Sequence, residues 1–206
     1  IVGNIIIATA GLFSDKITNL LGIDFNKKKT LPFRGEYYLL KPEYQYLVKG
    51  LIYPVPNAQL PFLGVHFTKM INGGVEAGPN AVMALAREGY NWKTINIPEL
   101  YESISYIGLQ KFLIKYPLIT SGEIIRSLSK AVFLKSLKKL IPDISADMVY
   151  RGPAGIRAQL MNTNGDLEQD FDIRIKGNLI SVLNAPSPAA TSSLSISEYI
   201  FNYLIN

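Results

Sequence analysis

The sequence predicts an α/β layer built from its two ends and an α+β domain inserted between them, and three observations support this. A short β-branched run at 5–11 ends in a small-residue turn and leads directly into a helical pattern. From Thr30, short strand candidates separated by turns precede a long helical stretch. After Asp147 strands return, and a final helix is expected at 191–204. The predicted boundaries are 1–26 and 147–206 for the α/β layer and 27–146 for the inserted domain.

The N-terminal end predicts a strand, a glycine turn and a helix, an order typical of nucleotide-binding layers. The run at 5–11 has the continuous apolar character of a fully buried strand. Gly22 is the expected stop of the helix that follows. The apolar positions of that helix are Leu12, Ile17, Leu20 and Leu21.

The inserted domain predicts an antiparallel sheet followed by helices. Asn72 and Gly73 form a strong hairpin signal between two strand candidates. Residues 98–139 are mainly helical in pattern, and Pro117 marks a break. The strand candidates lie at 36–40, 46–48, 51–53, 64–71 and 74–78, and in the C-terminal layer at 148–150, 156–161, 173–175 and 179–183.

Composition excludes several classes of protein. The 206 residues are 48% hydrophobic and 18% charged, which indicates a compact globular chain rather than a disordered tail. The absence of cysteine excludes disulfides, thiolate metal sites and cysteine nucleophiles. The sequence shows no metal-ligand cluster and no catalytic triad. The net charge of +5 fits an anionic substrate or an anionic surface.

The segment from Asn184 to Ser193 carries the strongest chemical signal. Pro186 and Pro188 hold the backbone around Ser187 extended, which leaves amide groups available to a ligand. A helix starts immediately behind them, and a helix N-terminus attracts anionic or electron-rich groups. An ordinary proline-rich start of a helix is the alternative.

His66 is the only histidine. Strand alternation places it on the opposite side from Val65 and Phe67, away from the apolar face. A histidine near neutrality can take a proton from an alcohol while a hydride leaves carbon. A half-exposed strand histidine without a role is the alternative.

Three arginines lie in unusual settings: Arg34 and Arg151 directly precede a glycine, and Arg157 lies two residues after Gly155 in a strand-like run. Such arginines suit bidentate capture of carboxylates, and three together fit a dianion better than a neutral substrate. For each one alone, a structural ion pair, such as Arg34 with Glu36, is the alternative. Residues 27–29 are three lysines and predict a solvated loop.

Several long motifs together resemble the L-2-hydroxyglutarate dehydrogenase family, a branch of the FAD-dependent D-amino-acid oxidase superfamily. They occur in the family's order and cover nearly the whole chain. They are PFRGEYY at 32–38, LIYPVP at 51–56, PFLGVHFT at 61–68, GPNAV at 78–82, REGY at 87–90, RGPAGIRAQ at 151–159 and the segment at 184–193.

The resemblance implies the C-terminal portion of an FAD-binding α/β domain with an inserted antiparallel-sheet substrate domain. It implies oxidation of L-2-hydroxyglutarate to 2-oxoglutarate, with hydride transfer to the flavin. His66 is then the expected general base, and Arg34, Tyr53 and Arg157 are the expected substrate-binding residues. The expected FAD contacts are Ala10 and Gly11 near the adenosine and pyrophosphate, and Asn184, Pro186, Ser187, Pro188, Ala189, Ala190 and Thr191 at the isoalloxazine.

The sequence departs from the family in one respect, because it contains no glycine-rich G-x-G-x-x-G turn after a strand. We therefore expect the isolated chain to have little activity and to need a separate N-terminal FAD-binding segment or chain as a partner. We expect a cytoplasmic location, with peripheral membrane attachment if the electron acceptor is a quinone. The alternatives are a non-catalytic remnant or interaction subunit, and a related amino-acid or amine oxidase.

Overall fold

A computed structural model describes residues 3–55 and 64–205, with side chains as far as Asn202. Parts of two family motifs, Pro56 and 61–63, lie outside the described residues. The chain divides into two compact units. Unit 1 comprises Ile1–Thr30, Ala158–Asn162 and Asp166–Asn206, and unit 2 comprises Leu31–Arg157 and Thr163–Gly165. The units divide near residues 30 and 158 rather than 26 and 147, and the functions assigned to the two domains remain predictions.

The described residues form nine strands, six α-helices and three short 3-10 helices. The strands are β1 (Ile6–Ala8), β2 (Lys29–Leu40), β3 (Leu51–Ile52), β4 (His66–Lys69), β5 (Val75–Gly78), β6 (Val82–Met83), β7 (Val149–Met161), β8 (Asp172–Lys176) and β9 (Leu179–Asn184). The α-helices are α1 (Ser14–Leu20), α2 (Ile97–Ile104), α3 (Ile107–Lys115), α4 (Pro117–Leu128), α5 (Lys130–Leu137) and α6 (Ser193–Ile205). The 3-10 helices are Gly11–Phe13, Pro42–Leu47 and Ala146–Met148.

The sheet of unit 1 has the order β1-β9-β8, with β1 parallel and β8 antiparallel to β9. The prediction of a fully buried first strand is wrong, because Ile5, Ile6 and Ile7 are 49%, 50% and 46% exposed. In the described part of the chain, β1 is an edge strand that pairs with β9 alone. A β-branched run therefore marked the strand correctly but not its position in the sheet.

Helix α1 contacts β9 through hydroxyl groups rather than through the apolar face that the sequence suggests. Leu20 is exposed, whereas Ser14 and Thr18 are buried. The Ser14 hydroxyl donates to the Leu183 carbonyl at 2.8 Å, and the Thr18 and Ser181 hydroxyls lie 2.6 Å apart. Small hydroxyl side chains let the helix approach the strand closely while every buried oxygen keeps a partner. Gly22 ends this region with a φ of +65°, as predicted.

An ionic cluster in unit 1 corrects the expectation that the lysines at 27–29 form a solvated loop. The Lys28 ammonium lies 3.0 Å from Glu168 and 2.8 Å from Asp172, and its side chain is only 14% exposed. Asp172 also pairs with Arg174. Burial favours the neutral form of Asp172, but Arg174 and Lys28 outweigh it and hold the pKa of this carboxyl below its ordinary value. The partners are more than 100 residues away in sequence, so local charge patterning could not reveal them.

Unit 2 contains the predicted antiparallel sheet, in the order β3-β4-β5-β2-β6, with β7 also paired to β2. The predicted hairpin turn is confirmed, because the Met70 amide donates to the Gly74 carbonyl at 3.1 Å across Gly73. The strand predicted at 46–48 is wrong, since Pro42–Leu47 forms a 3-10 helix. Val48, which directly follows this 3-10 helix, is completely buried, so its apolar side chain serves packing.

The helices predicted at 98–139 are present as α2, α3, α4 and α5. Pro117 is the first residue of α4, where its missing amide hydrogen costs no helical bond. The side chains of Asn96 and Ser129 accept hydrogen bonds from the first turns of α2 and α5. One face of the sheet packs against α5 in a core of Tyr38, Leu40, Val65, Phe67, Val75, Ala77, Phe133, Leu134 and Leu137. The alternate residues of the same strands therefore form a second, half-buried face.

Candidate active site

A row of side chains crosses the second face of the sheet in unit 2. His66 on β4 is paired with Gly78 on β5, and the pairing of Tyr38 with Ala77 places Tyr37 of β2 beside Gly78. Tyr53 follows β3, where Ile52 is paired with Phe67. The Tyr53 and His66 rings stack with centroids 4.2 Å apart and planes 19° apart. The structure thus brings together Tyr53 and His66, two of the residues expected from the sequence.

His66 is held in a form that can accept a proton. Its Nδ1 lies 3.2 Å from the Gly64 carbonyl oxygen, which can only accept, so this bond places the proton on Nδ1 and leaves the Nε2 lone pair free. Burial lowers the pKa of the imidazole below its ordinary value, and the charge of Arg157 acts in the same direction. The Gly64 carbonyl and Glu76 act against that lowering. The neutral imidazole required of a general base is therefore favoured.

Arg157 of β7 reaches the same row through Tyr37. The guanidinium charge acts on the Tyr37 phenol and on the His66 imidazole. The phenol can donate its own proton to an acceptor. Burial raises the pKa of the Tyr37 phenol, and Glu76 acts in the same direction, while Arg157 opposes the rise. Arg157 and Tyr37 together thus present two kinds of donor suited to a carboxylate.

The sequence analysis missed two residues of this face, Tyr37 and Glu76. A signal for both was present in the alternation of their strands. Tyr38 is buried in the core, so Tyr37 must point to the other face of β2. Val75 and Ala77 are likewise buried, so Glu76 must share that second face.

Gly78 lets β2 and the Tyr37 ring pack closely against β5 beside His66. Its φ of +149° is rare for residues with a side chain, and an added Cβ would lie 2.8 Å from the Glu36 carbonyl oxygen and 3.1 Å from the Tyr37 ring. Any larger residue would therefore push against the backbone that carries Tyr37. This explains in physical terms why two separate family motifs meet at this point.

Arg34 has a different setting from Arg157. Its side chain is fully buried, with Nε donating to Glu36 at 3.0 Å and one terminal nitrogen donating to the Gly89 carbonyl at 3.1 Å. The guanidinium also lies over the Trp92 ring, 4.7 Å from its centroid. Glu36 in turn accepts from the Asn80 side chain at 3.0 Å. Arg34 therefore has the ion pair that the sequence left open as its alternative, and this network fixes the segment after Gly78.

Arg151 is used within unit 2. It donates to the Ser127 carbonyl at 2.9 Å, in the last turn of α4. A cation there satisfies a free helical carbonyl and interacts favourably with the negative end of the helix dipole.

The residues expected to hold the flavin ring form one segment of unit 1. Asn184 is buried, and its side-chain amide donates to the carbonyls of Glu168 and Asp170 at 3.3 and 2.7 Å. After it the chain is largely exposed, at Ser187, Pro188, Ala190 and Thr191. Pro186 and Ala189 are half-buried. The 13-residue helix α6 begins at Ser193.

This arrangement fits the electron-rich edge of a flavin ring. Asn184 anchors the start of the segment, and the first turn of α6 presents backbone donors behind it. At the other end of the unit, Gly11 has a φ of +52°, and nothing lies within 4 Å of where its side chain would be. Together with the half-buried Ala10, it forms a small-residue turn after β1.

An apolar cavity of about 120 Å³ lies elsewhere in unit 2. It is lined mainly by hydrophobic side chains, among them Phe33, Val82, Trp92, Leu109 and Phe112. A dicarboxylate would lose its hydration there without gaining charged partners. The cavity therefore does not compete with the row around His66 as a site for an anionic substrate.

Among the described residues, no helix combines the length and apolar character needed to cross a bilayer.

Comparisons with known proteins show the family of this chain. A family model described as FAD dependent oxidoreductase matches residues 2–202. L-2-hydroxyglutarate dehydrogenase of Indibacter alkaliphilus is 54% identical over 193 residues, covering 94% of this chain and 48% of that protein. The mitochondrial L-2-hydroxyglutarate dehydrogenases of Caenorhabditis elegans and Homo sapiens are 47% and 42% identical, covering 98% and 95% of this chain. The chain covers 47% and 43% of those two proteins, so it spans about half the length of the curated relatives it matches.

A solved structure shares the fold. Dithionite-reduced L-alpha-glycerophosphate oxidase from Mycoplasma pneumoniae, with FAD bound, matches with a TM-score of 0.57 and 19% identity. The match covers 93% of this chain and 40% of that one, and it bears out a mixed α/β fold with an antiparallel sheet. The similarity to L-2-hydroxyglutarate dehydrogenases that the motifs indicate is confirmed. The chain belongs to the family of FAD-dependent oxidoreductases.

Proposed function

We propose that this chain carries the substrate-oxidising residues of an FAD-dependent enzyme that converts L-2-hydroxyglutarate to 2-oxoglutarate. The observation that carries the proposal is the row in unit 2, where His66 is stacked on Tyr53, lies beside Tyr37 and feels the charge of Arg157. The identity of the proposed substrate comes from the names of the relatives, which are L-2-hydroxyglutarate dehydrogenases.

His66 acts as the general base. Its free Nε2 takes the proton of the substrate 2-hydroxyl, while the hydrogen on the same carbon leaves with its two electrons and a carbonyl forms. FAD supplies the acceptor for that hydride when it is bound. The stack against Tyr53 limits the orientations of the imidazole, so Nε2 stays aimed in one direction.

Arg157 and Tyr37 bind a carboxylate of the substrate. The guanidinium supplies charge, and the Tyr37 hydroxyl supplies a neutral donor that keeps its proton at physiological pH. Tyr53 also borders this face and offers a second phenol. Arg34 contributes to carboxylate binding indirectly, because it is fully buried and holds Glu36 and the segment after Gly78 in place.

The cofactor-binding role falls to unit 1. Asn184, Pro186, Ser187, Pro188, Ala189, Ala190 and Thr191 would hold the isoalloxazine, and Ala10 and Gly11 would contact the adenosine and pyrophosphate side. The exposure of the segment and the helix start behind it support this assignment. Further contacts come from a partner segment or chain, because half of the relatives' length has no counterpart in this sequence.

Peripheral attachment to a membrane is part of the proposal. Helix α2 exposes Ile97, Tyr101 and Ile104, which are 68%, 73% and 51% exposed and lie within one side of the helix. Such a side supports contact with a lipid surface that contains a quinone acceptor. Vesicle co-sedimentation tests this, and a chain that stays in the supernatant with anionic and neutral vesicles would rule the attachment out.

The reaction is tested in a flavin-loaded complex. The chain is co-expressed with the part of the Indibacter relative that has no counterpart here, and the flavin-loaded complex is mixed anaerobically with each enantiomer of 2-hydroxyglutarate. We expect the L enantiomer to bleach the oxidised flavin and to yield 2-oxoglutarate. A flavin-loaded complex that is reduced by an amino acid or amine instead would support the amine oxidase alternative. One that no substrate reduces would support the non-catalytic alternative.

A further inference from the structure

We propose that Glu76 is a positioning residue that stabilises the protonated form of His66 while the substrate proton is being transferred. This inference rests on the proposed function, because it assigns His66 the role of base. It adds a residue that no family motif quoted above contains.

The sheet places Glu76 on the same face as His66. On β5, Val75 and Ala77 are buried in the core, so Glu76 and Gly78 point to the opposite face. Gly78 is paired with His66 and Glu76 with Thr68, which makes Glu76 the diagonal cross-strand neighbour of His66. Diagonal neighbours lie roughly 7–8 Å apart, within reach of a long side chain such as glutamate. Gly78 has no side chain of its own on this face, and the Tyr37 ring packs against it.

The charged and titratable groups around His66 come from four places in the sheet: β7, β5, β2 and the residue after β3. Arg157 on β7 is a permanent cation and opposes protonation of the imidazole, whereas Glu76 on β5 favours it. Tyr37 on β2 and Tyr53 after β3 are phenols that border the same face. Glu76 is therefore the anion that offsets Arg157 at His66.

The reaction makes this balance necessary. Arg157 is needed to bind a carboxylate, but its charge makes the imidazolium that forms on proton transfer less favourable. A carboxylate on the neighbouring strand compensates that charge without blocking Nε2. Glu76 is half-buried, so its interaction with His66 is screened less than that of an exposed pair.

The single histidine makes the test direct. The imidazole of the purified chain is titrated by heteronuclear NMR without FAD or substrate, and every imidazole signal belongs to His66. We expect Glu76→Gln to move the titration midpoint to lower pH, because the neutral amide keeps the size of the side chain and removes its charge. Arg157→Gln moves the midpoint to higher pH. Glu43→Gln, which removes an exposed carboxylate elsewhere in unit 2, leaves the midpoint unchanged.

Glu76→Asp separates charge from structure. It restores the carboxylate with a shorter reach, and we expect its midpoint to lie between those of the wild type and Glu76→Gln. A Glu76→Gln midpoint at or above the wild-type value overturns the inference, as does a Glu76→Asp midpoint equal to that of Glu76→Gln.

A second readout distinguishes this failure from failure of the proposed function. L-2-hydroxyglutarate is titrated into the wild type and into Glu76→Gln at fixed pH. Saturable binding to both proteins with an unmoved midpoint would reject the role of Glu76 and leave the substrate site intact. A lowered midpoint without binding to either protein would support the electrostatic coupling and reject the substrate.

Discussion

The two units hold their candidate functional residues in opposite ways. In unit 2, the residues around His66 lie on strands whose alternate side chains are locked in a core. In unit 1, most of the expected flavin contacts lie on an exposed segment between β9 and α6. The first arrangement is set by the chain itself, whereas the second presents backbone donors that need water or a ligand to complete them. We therefore expect the proposed substrate site to be preorganised and the proposed cofactor site to depend on further contacts.

The largest expected effect concerns cofactor binding. We expect the chain alone to lose nearly all added FAD on gel filtration, because its donors come from one exposed segment and the sequence contains no G-x-G-x-x-G turn. The flavin absorbance of the protein peak measures this. Flavin absorbance in the protein peak would mean that unit 1 binds FAD without further contacts. That result would contradict the difference drawn here between the two units.

In a flavin-loaded complex that turns over L-2-hydroxyglutarate, His66→Gln should lower kcat about 10²–10⁴-fold, the usual contribution of a general base. The flavin content of the variant should stay unchanged, because its expected contacts lie in unit 1. Rapid anaerobic flavin reduction measures the rate. A loss of less than about threefold would contradict the assignment of His66 as the base.

Gly78→Ala tests how rigidly unit 2 holds its row. The added Cβ would meet the Glu36 carbonyl oxygen at 2.8 Å, so we expect a loss of about 2–3 kcal/mol in the free energy of unfolding. The Tyr53–His66 stack should persist, while Tyr37 shifts and substrate affinity falls. Gly122→Ala is the matched control, because nothing lies within 4 Å of its added Cβ and helix α4 tolerates alanine.

Asp172→Asn tests the ionic cluster of unit 1 and should cost about 1–3 kcal/mol, because it leaves Lys28 and Arg174 with a weaker acceptor. The lowered pKa of Asp172 means that its stabilising contribution is present above the ordinary aspartate pKa of about 3.9. That contribution is lost as the pH falls through the lowered value. Urea unfolding across acidic pH measures both effects, with exposed Glu198→Gln as the control. Equal acid sensitivity of wild type and Asp172→Asn would contradict the account.

Sequence patterns predicted the strands and helices of this chain better than the tertiary contacts of individual side chains. Alternation in strand β4 was enough to place His66 opposite Val65 and Phe67, because one buried face imposes a period of two. The same reasoning could not separate Arg34 from Arg157, since both lie near a glycine in an apolar neighbourhood. The pair with Glu36 was open from the sequence, but only the folded chain brings Gly89 and Trp92 to Arg34 as well.

The burial of Lys28 and the edge position of β1 escaped prediction for the same reason. Both depend on residues after position 158, and pattern analysis reads only near neighbours. The flavin segment was found through its prolines and through family motifs, and its contacts with the cofactor remain a prediction.

The central claim is that unit 2 carries a preorganised site for a dicarboxylate beside His66. It is tested most directly by titrating L-2-hydroxyglutarate into the purified chain, without FAD, and following the His66 imidazole by NMR. The account predicts saturable shifts of that signal, a rise of the His66 pKa as the dianion binds, and loss of both in Arg157→Gln. An imidazole that does not respond to millimolar L-2-hydroxyglutarate, far above the usual range of enzyme affinities, would contradict the claim.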